Sequence, residues 1–206
     1  MRYGMLFDVT RCVGCAACVM ACKVEHATLQ GTYWSSVFFQ ETGTYPNARM
    51  TAIPAGCMHC QNAPCVQSCP TGASHHSEEG VSLVDHDKCI GCRTCVNACP
   101  YNARHYNYTN IDDNRYFGQD FAPTPFELEK TGKHIRGTVE KCVMCDERVA
   151  EGKNPACVTT CIARARIFGD LDDPESEISA AIKAKNARPM AEHLSTQPNV
   201  YYAGKF

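Results

Sequence analysis

The sequence predicts an α+β fold of two internally related units, with long connecting loops and a C-terminal helix and arm. Three observations predict it. Sixteen cysteines among 206 residues fall into four groups of four. CVGCAACVMAC at 12–22 matches CIGCRTCVNAC at 89–99 at seven of eleven positions, and NAPCVQSC at 62–69 is echoed by NPACVTTC at 154–161, so the chain carries an internal repeat. A strand-like segment leads into the first group and a helical segment leaves it.

Residues 3–9 read as a strand, and Ala16 to about His26 as the helix that carries Cys22. Residues 31–54 form a connector with short strands at Val37–Gln40 and Arg49–Ile53 around a turn at 43–47, its Tyr33 and Trp34 packing in a core or interface. A hairpin runs over Ala73–His76 and Val81–Val84, with His75 and His76 as alternating strand residues. Residues 101–137 have no sustained hydrophobic period and read as an inserted surface loop. Asp146–Glu151 is helical, Asn154 and Pro155 suit the N-cap and first position of the next helix, and Asp173-Pro174-Glu175 starts a helix with Ile178 and Ile182 on one face. The chain thus divides into 1–56 with 138–172 (groups one and four), 57–104 (groups two and three), the loop 105–137, and a helix with a docking arm at 173–206.

The run Cys89-x2-Cys92-x2-Cys95-x3-Cys99-Pro100 has the spacing of a bacterial [4Fe-4S] ferredoxin. Three thiolates from a tight turn reach three corners of one cubane, while the fourth, on the following helix, points at another. One run therefore implies a partner run, and residues 57–100 read as one complete ferredoxin-like 2[4Fe-4S] unit. The four groups either pair in order or nest. The compact inner unit favours nesting, with one cluster on Cys57, Cys60, Cys65 and Cys99 and another on Cys89, Cys92, Cys95 and Cys69. By analogy Cys12, Cys15 and Cys18 join Cys161, and Cys142, Cys145 and Cys157 join Cys22.

Four oxidised cubanes with their thiolates would take the formal charge from -2 to about -10. Arg11, Lys23, Lys88, Arg93 and Lys141 adjoin these cysteines and either raise particular potentials or face away into solvent. His59 either donates a hydrogen bond to a cluster sulfur or caps a turn, the second reading being favoured, and it is not a ligand. A row of redox centres is a wire rather than a catalytic pocket, and there is no phosphate cradle, nucleophilic triad or dinucleotide fingerprint to suggest catalysis by this chain.

Other readings of the cysteines fit less well. Disulfide frameworks belong to short secreted chains with a signal peptide, and the N-terminal segment leaves no room for one before its strand. Structural zinc uses separated C-x2-4-C pairs rather than four cysteines within eleven residues. The near-neutral charge argues against a nucleic-acid or anionic-membrane surface, and Val13–Ala21 falls short of the about 20 apolar residues of a membrane span.

Together, CVGCAACVMACK at 12–23, CMHCQNAPCVQSCPTGA at 57–73, CIGCRTCVNACPYNAR at 89–104 and CVMCDERVAEGKNPACVTTC at 142–161 resemble the four-cluster subunits of molybdopterin oxidoreductases. The likeness spans nearly the whole chain. GTYPN at 43–47, PTGAS at 70–74 and FGDLDDPES at 168–176 are similar to the polysulfide and thiosulfate reductase subunit, with dimethyl sulfoxide, arsenate and tetrathionate reductases as rivals. The resemblance implies nested clusters and electron transfer between a large subunit with a molybdenum or tungsten bis-pterin and a quinone-linked membrane anchor. It implies a periplasmic location, reached by co-export on the partner's twin-arginine signal, with a cytoplasmic location as the alternative. Nitrate reductase relatives place Trp where this chain has Cys92 and hold a three-iron cluster there, so all four clusters are expected as [4Fe-4S]. Ile162 stands where relatives often have Pro, a change that bears on the turn and the local potential. The 101–137 insertion is similar to that of soluble two-subunit arsenate reductases. The rival function is a free ferredoxin-type carrier serving a hydrogenase or formate-linked system.

Overall fold

The computed structural model describes residues 1–110, 124–131 and 134–205. In chain order the elements are β1 (Tyr3–Asp8), α1 (Ala17–His26), β2 (Ser35–Thr42), β3 (Arg49–Gly56), α2 (Pro64–Gln67), β4 (Ser74–His76), β5 (Ser82–Val84) and α3 (Thr94–Ala98). Then follow β6 (His105–Tyr106), α4 (Pro125–Thr131), β7 (Val139–Glu140), α5 (Asp146–Ala150), α6 (Ala156–Thr159), β8 (Arg166–Asp170), α7 (Glu177–Ala184), β9 (Arg188–Pro189) and β10 (Val200–Ala203).

Strand β1 is the hub of a four-stranded sheet ordered β8-β1-β10-β9. It pairs antiparallel with β8, from Tyr3 opposite Asp170 to Phe7 opposite Arg166, and parallel with β10, from Met5 opposite Val200 to Asp8 opposite Ala203. Because successive side chains of a strand point to opposite faces, β1 serves two cores. Met5 and Phe7 join Val9, Val200 and Tyr202 in the larger one, which also holds Ile53, Met58, Cys60, Cys65 and Cys95. Leu6 faces the other way, into a small core with Ile178, Ala187 and Ala203 under α7. The cysteine loops therefore share one face of the sheet with the larger core, and α7 covers the opposite face.

Several expectations change. Helix α7 starts after Ser176, whose side chain accepts a hydrogen bond from the amide of Ser179, rather than at Asp173. Pro155, not Asn154, precedes α6 as its cap residue. The β2–β3 ladder runs from Ser35 opposite Gly56 to Thr42 opposite Arg49, longer than its apolar residues suggest, and its far end is exposed.

The insertion is not simply a surface loop. Strands β6 and β7 pair at its base, α4 lies within it, and Asn107 and His134 are buried. The rest of that expectation falls on 111–123 and 132–133, outside the described residues.

The largest change is at the C-terminus. The expected docking arm instead completes this chain's own sheet as β9 and β10. Tyr202 donates from its hydroxyl to the Pro54 carbonyl at 2.8 Å, the Asn199 amide donates to the Met58 carbonyl at 3.0 Å, and the Gln61 amide donates to the Gln197 carbonyl at 2.9 Å. The reason lies in β1, whose buried backbone needs hydrogen-bond partners along both edges. Among the described residues no helix is long and apolar enough to cross a membrane.

Candidate metal centres

Each cysteine group is held by a loop whose backbone turns through left-handed conformations, and these recur at corresponding positions. Gly14 and Gly91 have φ of 71° and 68°, and Ala16 and Arg93, which precede α1 and α3, have 58° and 59°. A side chain at Gly91 would collide with the Gly137 carbonyl, so only glycine fits there. In the other two groups the left-handed residues are His59 (44°) and, before Cys145 (54°), Met144 (56°). The amides of His59 and Met144 point at sulfur, His59 donating to Cys57 at 3.5 Å and Met144 to Cys142 at 3.4 Å. Further amide donors reach the last cysteines of two groups, Ser74 to Cys69 at 3.4 Å and Ala165 to Cys161 at 3.2 Å.

The loops bring the thiols into four sets. Cys12, Cys15, Cys18 and Cys161 line one cavity. Cys22, Cys142, Cys145 and Cys157 line a second, together with Cys57 and His59. Cys57, Cys65 and Cys99 stand near Cys60 and, after burial itself, push its thiol up to about 12. Cys69, Cys89, Cys92 and Cys95 line another cavity. Among the described residues no three Cys, His, Asp or Glu side chains are grouped to hold a single metal ion. Three of the four sets surround cavities instead.

The second set is the most deeply placed. Burial, then the charges of neighbouring cysteines, raises Cys22 well above the usual thiol range, and Cys142 and Cys145 are pushed up to about 12. Burial also raises Cys65 and Cys157. Thiols crowded in this way hold their protons until a cation replaces them, which is the chemistry of a metal-thiolate site. The fourth set is more open. At Cys69 a modest burial penalty is outweighed by the Ser74 amide and the Thr71 hydroxyl, which hold the thiol at about 7, and Thr94 lowers that of Cys92. Cys15 and Cys92, in the first and fourth sets, are exposed. Partly buried thiols with N–H donors aimed at their sulfurs, set among fully buried ones, fit iron-sulfur ligation.

The basic residues beside the cysteines mostly do other work. Arg11 is exposed, and Lys88 forms an exposed ion pair with Asp85 at 2.7 Å. Arg93 lies over the ring of Tyr106 at 4.6 Å. Lys23 donates to the carbonyls of Thr28 and Leu29, at 2.8 and 2.9 Å, and so closes the turn after α1. Lys141 alone is fully buried, donating to the carbonyls of Ser82 and Cys142. His59 does not cap a turn through its ring: it is fully buried, among the described residues both ring nitrogens lack a partner, and burial, followed by Lys141 and Arg104, lowers it well below the usual imidazole range.

The sequence reading missed two cations. Arg166 is buried and donates to the Cys18 sulfur and the Ser35 hydroxyl, both at 3.2 Å. Arg104 is buried and donates to the Ser74 hydroxyl at 2.7 Å. Both follow the last cysteine of a group by five positions, a shared spacing visible in the sequence.

Beside the second set lies a buried polar cluster. Glu140 accepts hydrogen bonds from Trp34 at 3.1 Å, Asn107 at 3.0 Å and His134 at 2.6 Å. The other ring nitrogen of His134 lies 2.6 Å from the His26 carbonyl, which can only accept, so His134 donates from both nitrogens and is cationic. His26 in turn places Nε2 3.2 Å from the Cys145 sulfur.

Residues 48–114 and 122–171 match a family model described as a 4Fe-4S dicluster domain, and residues 11–73 match a second model of the same description. The chain is 39% identical to the iron-sulfur subunit of the arsenate respiratory reductase of Shewanella sp. strain ANA-3, over 100% of this chain and 97% of that protein. This chain belongs to the iron-sulfur subunits of the respiratory reductases. The subunit is also 34% identical to a polysulfide reductase component of Wolinella succinogenes, over 97% of this chain and 93% of that one. A tetrathionate reductase subunit of Salmonella typhimurium is 34% identical as well, over 98% of this chain and 72% of that protein. As an iron-sulfur subunit, the chain transfers electrons within a reductase complex of anaerobic respiration.

Proposed function

We propose that the subunit holds four [4Fe-4S] clusters in nested sets and relays electrons between a large molybdopterin catalytic subunit and a quinone-linked membrane partner. The ligand sets are Cys12, Cys15, Cys18 with Cys161; Cys142, Cys145, Cys157 with Cys22; Cys57, Cys60, Cys65 with Cys99; and Cys89, Cys92, Cys95 with Cys69. Each cluster, when bound, takes up and gives back one electron.

The observation that carries this reading is the order of the thiol sets. Arg166 is in the walls of the first two cavities, Cys57 reaches the wall of the second from the third set, and the charge of Arg104 bears on Cys65 of the third and Cys95 of the fourth. The sets therefore follow one another, with exposed cysteines in the two terminal sets and none in the middle two. Electrons pass through such a row from one surface to another. The chain's own residues bury the middle of the row, donate hydrogen bonds to its sulfurs and exclude water from it.

Export with the partner places the complex on the outer face of the cytoplasmic membrane, and cell fractionation against marker enzymes tests that location. The main test is elemental analysis of the tagged subunit purified without oxygen together with its partner. About 16 irons per chain with about one molybdenum or tungsten is the expected result. Iron without either metal would replace this reading with a freestanding carrier, and zinc in place of iron would end it.

A further inference from the structure

Arg166 and Arg104 are 5% and 3% exposed, and among the described residues neither has a carboxylate in ion-pair contact. A guanidinium taken out of water without an anion is costly. The groups that face Arg166 are thiols, a hydroxyl and a ring. Its Nη2 is 3.2 Å from Cys18 of the first set, it lines the cavities of both the first and second sets, and it lies 4.4 Å from the Phe7 ring centroid.

Arg104 repeats this placement in the other pair. Its Nη1 donates to Ser74, which lines the fourth cavity, and its guanidinium lies beside the Cys65 thiol of the third set. The ionisable neighbours that act on it most are Cys65, Cys95 and Cys57, members of the third and fourth sets. Each arginine thus stands between two sets, and the two pairs do not overlap.

We propose that Arg166 and Arg104 are shared counter-charges, each raising the reduction potentials of the two clusters on either side of it as a pair. The inference rests on the four-cluster reading above. When a cluster gains one electron from its redox partner or a neighbouring cluster, its net charge with thiolates goes from -2 to -3, and no bond is made or broken. A fixed cation between two such sites favours the reduced state of both and eases the repulsion between them. Removing the charge makes both potentials more negative.

Redox titration followed by electron paramagnetic resonance tests this on the holoprotein, with iron counted first. Arg166→Gln is expected to shift two of the four midpoint potentials to more negative values and leave two in place. Arg104→Gln is expected to shift the other two. Arg166→Lys and Arg104→Lys keep the charge and are expected to hold all four near their starting values.

A variant that moves one midpoint, all four, or none overturns the proposal, as does the same pair moving in both glutamine variants. If one glutamine variant loses iron, the other still decides, because it must move two midpoints and no more. Loss of iron from both, with both lysine variants fully loaded, would overturn shared tuning in favour of a structural role. A wild-type chain with far fewer than about 16 irons would instead reject the four-cluster reading itself.

Discussion

The two pairs of cysteine groups reach similar arrangements from very different lengths of chain. Groups two and three are separated by the short hairpin β4–β5, with 20 positions from Cys69 to Cys89. Groups one and four are separated by 120 positions, from Cys22 to Cys142, and depend on β1 pairing with β8 to meet. The ratio of loop lengths makes the outer closure costlier by about 1.6 kcal/mol. That is less than the contribution of one well-buried aliphatic side chain. The outer pair therefore needs a second core rather than an extensive scaffold, and Leu6 with Ile178 on the far face of the sheet supply it.

The largest effect that tests this contrast comes from deleting residues 187–206, which removes β9 and β10. The outer pair loses one side of β1, and iron per chain is expected to fall to half or less of the full-length value. A truncated chain that retains all its iron would show that the sheet does not hold the outer pair together.

Next in size is the joint between the two pairs, where Glu140 ties Trp34 of the outer connector to Asn107 beyond group three and to His134. His134→Gln is expected to cost about 4 kcal/mol, as for a buried ion pair that loses one member. The pH dependence has a definite sign. Although burial lowers it, the hydrogen bond and charge of Glu140 raise His134 above 6.5 in the folded state, so its contribution is complete below pH 6.5 and is lost as pH rises through the raised value. Glu140 is held below 4.5 because His134, Asn107 and Trp34 together outweigh its burial, so its contribution is complete above pH 4.5 and is lost on acidification through the lowered value. Thermal unfolding of the two proteins should therefore differ most between pH 4.5 and 6.5 and converge in alkali.

A smaller effect is expected from Ile178→Ala, about 3 kcal/mol by cavity formation. The comparison sharpens if denaturant then releases the iron of the outer pair before that of the inner pair, whereas simultaneous release would mean that both pairs unfold as one. The smallest effect is expected from Cys92→Ser, at an exposed thiol. It should remove one iron of the fourth set and produce a three-iron signal with little change in unfolding, and an unaltered spectrum would remove Cys92 from the ligands.

What the sequence made legible was what is local. The cysteine spacing, the strand before group one, helix α1 and the β4–β5 hairpin depend on contacts a few residues apart, and the structure places them within a residue or two of expectation. The missed features depend on partners distant in the chain. Val200–Ala203 is too short to announce itself as a strand, and its parallel neighbour lies almost two hundred positions earlier. Arg93 looked functional because it adjoins Cys92, yet Tyr106 and Tyr108, at and just past β6, claim its side chain. Arg104 and Arg166 look like surface residues in isolation. Their shared five-residue offset from a cysteine was the available signal, and its meaning depends on burial that composition does not reveal.

Strand β10 also orders events during synthesis. Val200 lies 39 positions beyond Cys161, so all sixteen cysteines are translated before β1 can acquire its parallel neighbour. While the chain is still growing, the Asn199 and Gln197 backbone groups that later bond to Met58 and Gln61 are absent, and that side of the cysteine region stands open. The strand is thus a closure, and a chain that has not yet formed it exposes a surface that the finished fold hides.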